Sequence, residues 1–452
     1  MEEVDVAVIG AGNAGIAVAY YLVKEQGIRS VALIDARDPM SLTSAQSGEN
    51  YRNWWPHPTM TAFTDHSTRL MEEMDIASGG RLNMTRGGYA LVTRRERPQD
   101  LIDDLYRGYA QSSQQIRLHE SRSTGYQPPV RTPWQAAPDG VDVLLDTALI
   151  RQHFPHLATD VRSIIHIRSA GSISGQQMGQ YMLEQFRAAG GQLVRAQVKG
   201  ISRAKPFTLD LQNEGGGTAT LRANRLVNAA GPFLRDIAKM LGEDLPVKCL
   251  YQQKIAFQDR EGAIPRQMPF TIDLDGQTLV WSDEDRELLA SDPASRKLVE
   301  PMPGGIHCRP DGAVDGNWIK MGWAYNATAT DPHDDEPRDP QFPDSVLRAG
   351  SRLHPGLAAY IGRLPRGAHH YGGYYTMTDE NWPLIGPMRT EGAFVAGALS
   401  GFGTMAACST GSLGAALVAG SPLPEYAKTL GLARYEDKTL MSLLNSMATG
   451  VL

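Results

Sequence analysis

Residues 10–15 read Gly10-Ala11-Gly12-Asn13-Ala14-Gly15, directly after the apolar run VDVAVI and directly before a stretch with helical spacing. The six-residue run VDVAVI, the glycine turn and the helical stretch are followed by a second apolar run, SVALID at 30–35, so that residues 4–35 read as a β-α-β unit. Each glycine has its own reason. Gly10 permits a tight turn, Gly12 lets backbone approach a pyrophosphate, and Gly15 lets helix and strand pack closely. The N–H groups opening the helix, with Asn13 and Ala14 among them, then face phosphate charge. Asp35 closes the second strand, where a carboxylate can accept from ribose hydroxyls, with Ala36 and Arg37 alongside. In this context the motif points to a dinucleotide.

Bulk properties remove other classes. The 452 residues suffice for two or three domain-sized cores. With 44 Lys and Arg against 50 Asp and Glu, the net charge of −6 offers no footprint for nucleic acid. Cys249, Cys308 and Cys408 lie far apart and form no C-x-x-C pair, so neither a disulfide framework nor a metal cluster is expected, and a reducing cytoplasm fits. The apolar stretch from Val6 to Val23 is interrupted by glycines and Asn13 and preceded by acidic residues, unlike a secretory signal. No run is long and apolar enough for a membrane span.

Along the chain, 97–145 reads as irregular and polar. Residues 164–201 give strand, turn, amphipathic helix and strand, with the helix closing on Gly190 and Gly191. Residues 221–233 give a strand ending in Ala229-Ala230-Gly231, and 247–330 give separated strands (CLYQQKIAF, QTLVWS, GGIHCRP, WIKMGWAY) expected in an antiparallel sheet. Residues 369–419 return to strands, glycine turns and a small-residue helix. The expected class is α/β plus antiparallel β: a discontinuous Rossmann-type domain (1–90, 150–240, 355–430) with an inserted mixed or antiparallel substrate domain (91–149, 241–354) and a tail (431–452).

Two further segments carry a resemblance. TSAQSGENYR at 43–52 offers Ser44, Ser47 and Gly48, and AGALSGFGTMAACSTG at 396–411 sets glycines before a helix. With Tyr375-Thr376-x-Thr378 and Pro383-Leu384-Ile385-Gly386, they resemble the sarcosine oxidase, glycine oxidase and D-amino acid oxidase group of FAD-dependent enzymes. The resemblance implies FAD, held by the first glycine motif, the Ser/Gly turn, Val198, Ala230, Gly231, Gly373 and Gly401-Phe402-Gly403-Thr404-Met405. A helix N-terminus at the last of these would stabilise the electron-rich flavin. Phe402 stands where many relatives have His. Gly373 stands where monomeric sarcosine oxidases have the cysteine that bonds to flavin, so noncovalent FAD is expected.

No second G-x-G-x-x-G follows a strand, so electrons should come from the substrate. The resemblance implies oxidation of an amine or amino acid, with hydride leaving the carbon beside a neutral nitrogen for flavin N5, and the imine hydrolysing. Lys320 in WIKMGWAY matches the group's strand lysine that promotes reaction with oxygen, giving hydrogen peroxide. Arg52 is placed to pair with a substrate carboxylate or the reduced ring. Arg309 is a second carboxylate candidate, and Tyr251, Tyr374, Trp54, Trp55 and Trp382 are candidate aromatic walls. His307, His369 and His370 have no metal spacing and read as structural or surface. Two alternatives stay open: a dehydrogenase for an amine or 2-hydroxy acid passing electrons to a quinone or protein acceptor, and a non-catalytic FAD-binding assembly factor.

Overall fold

The computed structural model describes residues 2–110, 112, 114–120, 125–293, 295–313 and 315–447. The glycine turn lies where the sequence puts it, between the strand Glu2–Ile9 and the helix Asn13–Lys24. Gly10 adopts φ +106°, and a Cβ there would sit 2.3 Å from the Ala229 carbonyl oxygen. A Cβ on Gly15 would sit 1.8 Å from the carbonyl oxygen of Gly10. Only glycine allows either approach.

Glu2–Ile9 pairs in parallel with Val31–Asp35 on one side and Thr218–Asn228 on the other, and the parallel run continues to Gln192–Arg195 and Ala393–Gly397. Antiparallel strands extend this eight-stranded sheet through Phe207–Gln212, Gln197–Ile201 and Leu384–Pro387. The strands Glu2–Ile9 and Val31–Asp35 are buried over most of their length and read as continuous apolar runs, as a parallel sheet covered on both faces requires. The helix Gly403–Ala419 covers one face beside Asn13–Lys24; it is apolar nearly all round, and Gly420 ends it in the left-handed conformation.

The second sheet has nine strands, in the order His369–Met377, Lys248–Gln258, Trp318–Trp323, Ile306–Asp311, Phe270–Asp273, Tyr89–Thr93, Ser163–Ile167, Val141–Leu144, Ile116–His119. It is mixed, since Phe270–Asp273 runs parallel to Tyr89–Thr93. A short ribbon of Asn50–Arg52 with Ala170–Ser172 lies apart from both sheets.

Three expectations need correcting. The 97–145 segment is not wholly irregular: it holds the helix Gln99–Gly108 and the two strands at the far edge of the second sheet. Within it, Asp142 accepts from Arg117 and pairs with His119, a partly buried polar cluster that loop-like composition masked; residues 121–124 lie outside the described residues. QTLVWS is not a strand, because only Gln277 pairs, with Met302. Strands Ser163–Ile167 and His369–Met377, expected in the Rossmann segments, join the second sheet, since a short apolar run does not say which sheet completes it.

The segment after 430 is packed rather than a loose tail. Arg434 is buried, with Nη2 2.6 Å from Glu380 Oε1 and Nη1 donating to the carbonyls of Pro383 and Leu430. Residues 448–452 lie outside the described residues. Removing one member of a buried pair leaves the other charge uncompensated. Arg434→Met should therefore cost about 3–5 kcal/mol in denaturant unfolding, and much less when Glu380→Gln is already present.

Candidate active site

Three cavities join end to end along the boundary between the two sheets. The widest, about 480 Å³, is lined by Gly10, Gly12, Asp35, Ala36, Arg37, Val198, Ala230 and Gly231. It shares Gly12, Ser44 and Gly231 with a narrower middle compartment of about 120 Å³, which also takes in Asn13, Ala14, Gly373, Tyr374 and Gly403. The third, about 80 Å³, shares Ser47, Gly48, Lys254, Tyr375, Gly401 and Thr404 with the middle one.

Side chains from distant parts of the chain hold this trough open. Asn13 N donates to Ser44 Oγ at 3.0 Å, Asn13 Nδ2 donates to Thr404 Oγ1 at 3.0 Å, and Ser47 Oγ lies 2.7 Å from the same Thr404 oxygen. The first glycine motif, the Ser/Gly turn and the C-terminal glycine loop thus meet at one hydroxyl. Asp35 is oriented by accepting from Ala11 N at 2.7 Å and Arg37 N at 2.8 Å. Two long helices, Asn13–Lys24 and Gly403–Ala419, begin at the middle compartment, so partial positive charge from both faces it. Gly401 has room only without a side chain, because a Cβ would sit 2.6 Å from the Tyr375 ring. Neighbouring Ala398 and Ser400 hold positive φ of 56° and 45°, strain of the kind that collects at binding sites.

The FAD candidates therefore all line the trough except Gly15, whose place is in the helix–strand contact. The fit to an extended dinucleotide rests on the glycine cradle and on buried polar atoms left without partners among the described residues, Asn13 Oδ1 and Thr43 Oγ1. Phe402 packs edge-on against Trp55, with centroids 4.9 Å apart, and so has a packing role in place of a polar one. None of the three buried cysteines lines the trough.

The substrate and catalytic candidates are less uniformly placed. Arg52 lines the third compartment, buried, with its guanidinium 4.6 Å from the Trp55 ring centre and 5.8 Å from that of Tyr89; burial lowers its pKa to about 10, which leaves it charged at neutral pH. Lys320 stands beside the lining, not in it, with Nζ 3.9 Å from Glu49 and 3.7 Å from Asp311. Arg309 points to Gly48 O and Asp311 and borders a small neighbouring cavity with Arg131. Tyr251 faces away, its hydroxyl donating to Glu336, because strand alternation turns it opposite to Lys254. Tyr374 reaches only the middle compartment, whereas Tyr375 reaches both. Trp55 is a wall; Trp54 and Trp382 lie in the cores, and His369 and His370 pack at the strand surface.

Sequence reasoning missed Lys254, Asn50, Phe270, Asn381 and Tyr89, and placed His307 outside the site, although it lines the third compartment. Burial holds the His307 ring near a pKa of 4, and its Nδ1 bonds Gly305 O. The available signal was the lone lysine in the otherwise uncharged run YQQKIAF.

Residues 5–417 match the family model described as FAD dependent oxidoreductase. The chain belongs to the FAD-dependent oxidoreductases. It is 24% identical over 318 residues to the mitochondrial dimethylglycine dehydrogenase of Rattus norvegicus, covering 69% of this chain and 33% of that protein. The chain thus spans about a third of the length of that relative. Among solved structures, L-proline dehydrogenase from P. horikoshii superimposes with a TM-score of 0.72 at 17% identity, over 96% of this chain and 98% of that one. Glycine oxidase from Geobacillus kaustophilus gives 0.68 at 18% identity, over 96% and 99%. At these identities the likeness is one of fold. No described helix of this flavoprotein is long and apolar enough to cross a membrane.

Gly12→Val would push a branched side chain toward Ser44 Oγ, already 3.1 Å from an added Cβ, and into the trough. The purified variant should retain no FAD while keeping the parent's far-UV circular dichroism. The parent should release intact FAD into the supernatant on acid precipitation, and flavin left on the chain would contradict a noncovalent site.

Proposed function

We propose that this flavoprotein oxidises the C–N bond of a small carboxylate-bearing amine or amino acid, with oxygen as acceptor and hydrogen peroxide as product. The observation that carries the reading is the Arg52 guanidinium, buried on the Trp55 face in a compartment of about 80 Å³ that adjoins the middle compartment of the trough. The guanidinium fork facing this compartment matches the two oxygens of a carboxylate. Asn50 Oδ1 and Trp55 Nε1, both buried and lacking partners among the described residues, supply an acceptor and a donor for the rest of a small polar ligand. Tyr89, Phe270, Tyr375 and Phe402 exclude water around it. Bound FAD supplies the two-electron acceptor. Arg52 fixes the carboxylate so that the amine-bearing carbon is presented toward the middle compartment. The dimethylglycine, proline and glycine substrates named for the relatives are of this class.

One observation favours a second acceptor. Lys320, the cation invoked for oxygen, is tied to Glu49 and Asp311 beside the lining, which supports a dehydrogenase passing electrons to a quinone or protein. Anaerobic addition of N-methylated glycines, proline, D- and L-amino acids and 2-hydroxy acids should bleach the flavin with an amine. Admission of air should restore the colour within seconds for an oxidase; recovery over minutes supports the dehydrogenase. Lys320→Met should slow the oxidase's reoxidation about a hundredfold with little change in bleaching. Arg52→Met should raise the KM of the bleaching amine about thirtyfold or more, the loss of roughly 2 kcal/mol expected for a buried charged pair, while an amine without a carboxylate is little affected. No bleaching by any compound would leave FAD binding without turnover.

A further inference from the structure

Lys254 is the one charged side chain common to the middle and third compartments, so it stands where the bound ring and the bound substrate must meet. It comes from the strand Lys248–Gln258, opposite Gly322 on one side and Tyr371 on the other. Gly322 makes the space, since a Cβ there would press on Lys254 Cγ at 3.1 Å and on His307 Nε2 at 2.5 Å. Nζ donates only one long bond, 3.4 Å to the Gln46 carbonyl, and lies 5.6 Å from the Tyr375 ring centre. No carboxylate pairs with it among the described residues. The titratable groups around it are Tyr371, Tyr375, His307 and Lys320, and the cationic charge of Lys320 is itself answered by Glu49 and Asp311.

Such a lysine is a poor permanent cation and a good resting base. An ammonium substrate entering beside a charged, unpaired lysine would set two like charges together in a dry compartment. The other side chains facing the compartment do not offer the same exchange. Arg52 stays protonated, His307 is held near 4, and Glu49 is occupied by Gly175 N–H at 3.1 Å and by Lys320. Burial alone moves Lys254 down to about 8, close to the value at which an amine base is effective near neutral pH.

Resting on the proposed function, we propose that Lys254 is a catalytic residue whose neutral amine takes the proton from the substrate's ammonium group. The N–H bond of the ammonium breaks, Nζ goes from NH2 to NH3+, and the substrate nitrogen keeps the electron pair that C–H cleavage requires. Net charge in the compartment is unchanged by this transfer. The two electrons then pass to the flavin as in the proposed reaction, and the new ammonium of Lys254 lies beside the ring when it becomes electron-rich.

The FAD-loaded protein tests this in two ways. Without substrate, flavin absorbance titrated from pH 6 to 9.5 should show a transition with a midpoint near 8 in the parent. The transition should vanish in Lys254→Met and in Lys254→Arg, which stays charged throughout, and remain in Lys320→Met, whose lysine is also lowered to about 8. With the bleaching amine, Lys254→Met should reduce about a hundredfold more slowly at pH 7. It should then recover steadily up to pH 10 as the free substrate loses its own proton, a rescue that a merely structural lysine would not give. A transition missing from the parent, or persisting in Lys254→Met, overturns the assignment, as does a parent-like bleaching profile in that variant. If no amine bleaches the parent, the proposed function fails and this role with it, while a transition lost in Lys254→Met would still place Lys254 at the ring.

Discussion

Two helices from opposite ends of the sequence, Asn13–Lys24 and Gly403–Ala419, lie so close that a Cβ on Gly411 would sit 2.5 Å from Ala17. That contact is possible only because glycine and alanine face each other along the seam, with Gly414 against Val18 one turn further on. Both helix starts consequently open on the same trough, and both partial positive charges fall on one stretch of it. Asn13, Ser47 and Thr404 then lock the three contributing loops together by hydrogen bonds. Were the helices held apart by one larger side chain, the cradle would widen and the two glycine loops would no longer share a ligand.

Charge in the second half of the site is arranged by desolvation more than by pairing. Arg52 stacks on aromatic faces, Lys254 meets a carbonyl and a tyrosine ring, and Lys320 and Arg309 lie against carboxylates. Burying Lys254 on a ring and a carbonyl leaves it ready to give up a proton, whereas burying it against a carboxylate would have held that proton in place. The nine-stranded sheet makes this possible because alternate residues of Lys248–Gln258 face opposite ways. Lys254 is turned to the trough, and Tyr251, on the other face, is spent on Glu336.

The first β-α-β unit and the positions of the glycine turns were legible in the sequence, and the residues singled out there and by resemblance line one trough. Those features are local: each glycine answers to a backbone approach within a few residues, or to a loop whose composition announces it. Arg52, singled out for lying a few residues beyond the Ser/Gly turn, lines the third compartment. Much of the wall of the third compartment was not legible, since Tyr89, Phe270, His307 and Asn381 come from four segments in which nothing marks these side chains.

By itself the sequence determined a parallel core around Glu2–Ile9 and the tight glycine turn over Gly10–Gly15, because steric necessity at a glycine and apolar periodicity are written residue by residue, while the loop before Gly403 was marked by resemblance. Only the tertiary structure decided which sheet Ser163–Ile167 and His369–Met377 complete, and which lysine faces the site. Lys254, opposite Gly322, and Lys320, two residues along the neighbouring strand, share one face of the sheet, so their place along it decides: Lys254 reaches the trough, while Lys320 meets Glu49 and Asp311. That place is fixed by which strands pair and in what register, and no single strand carries that information alone.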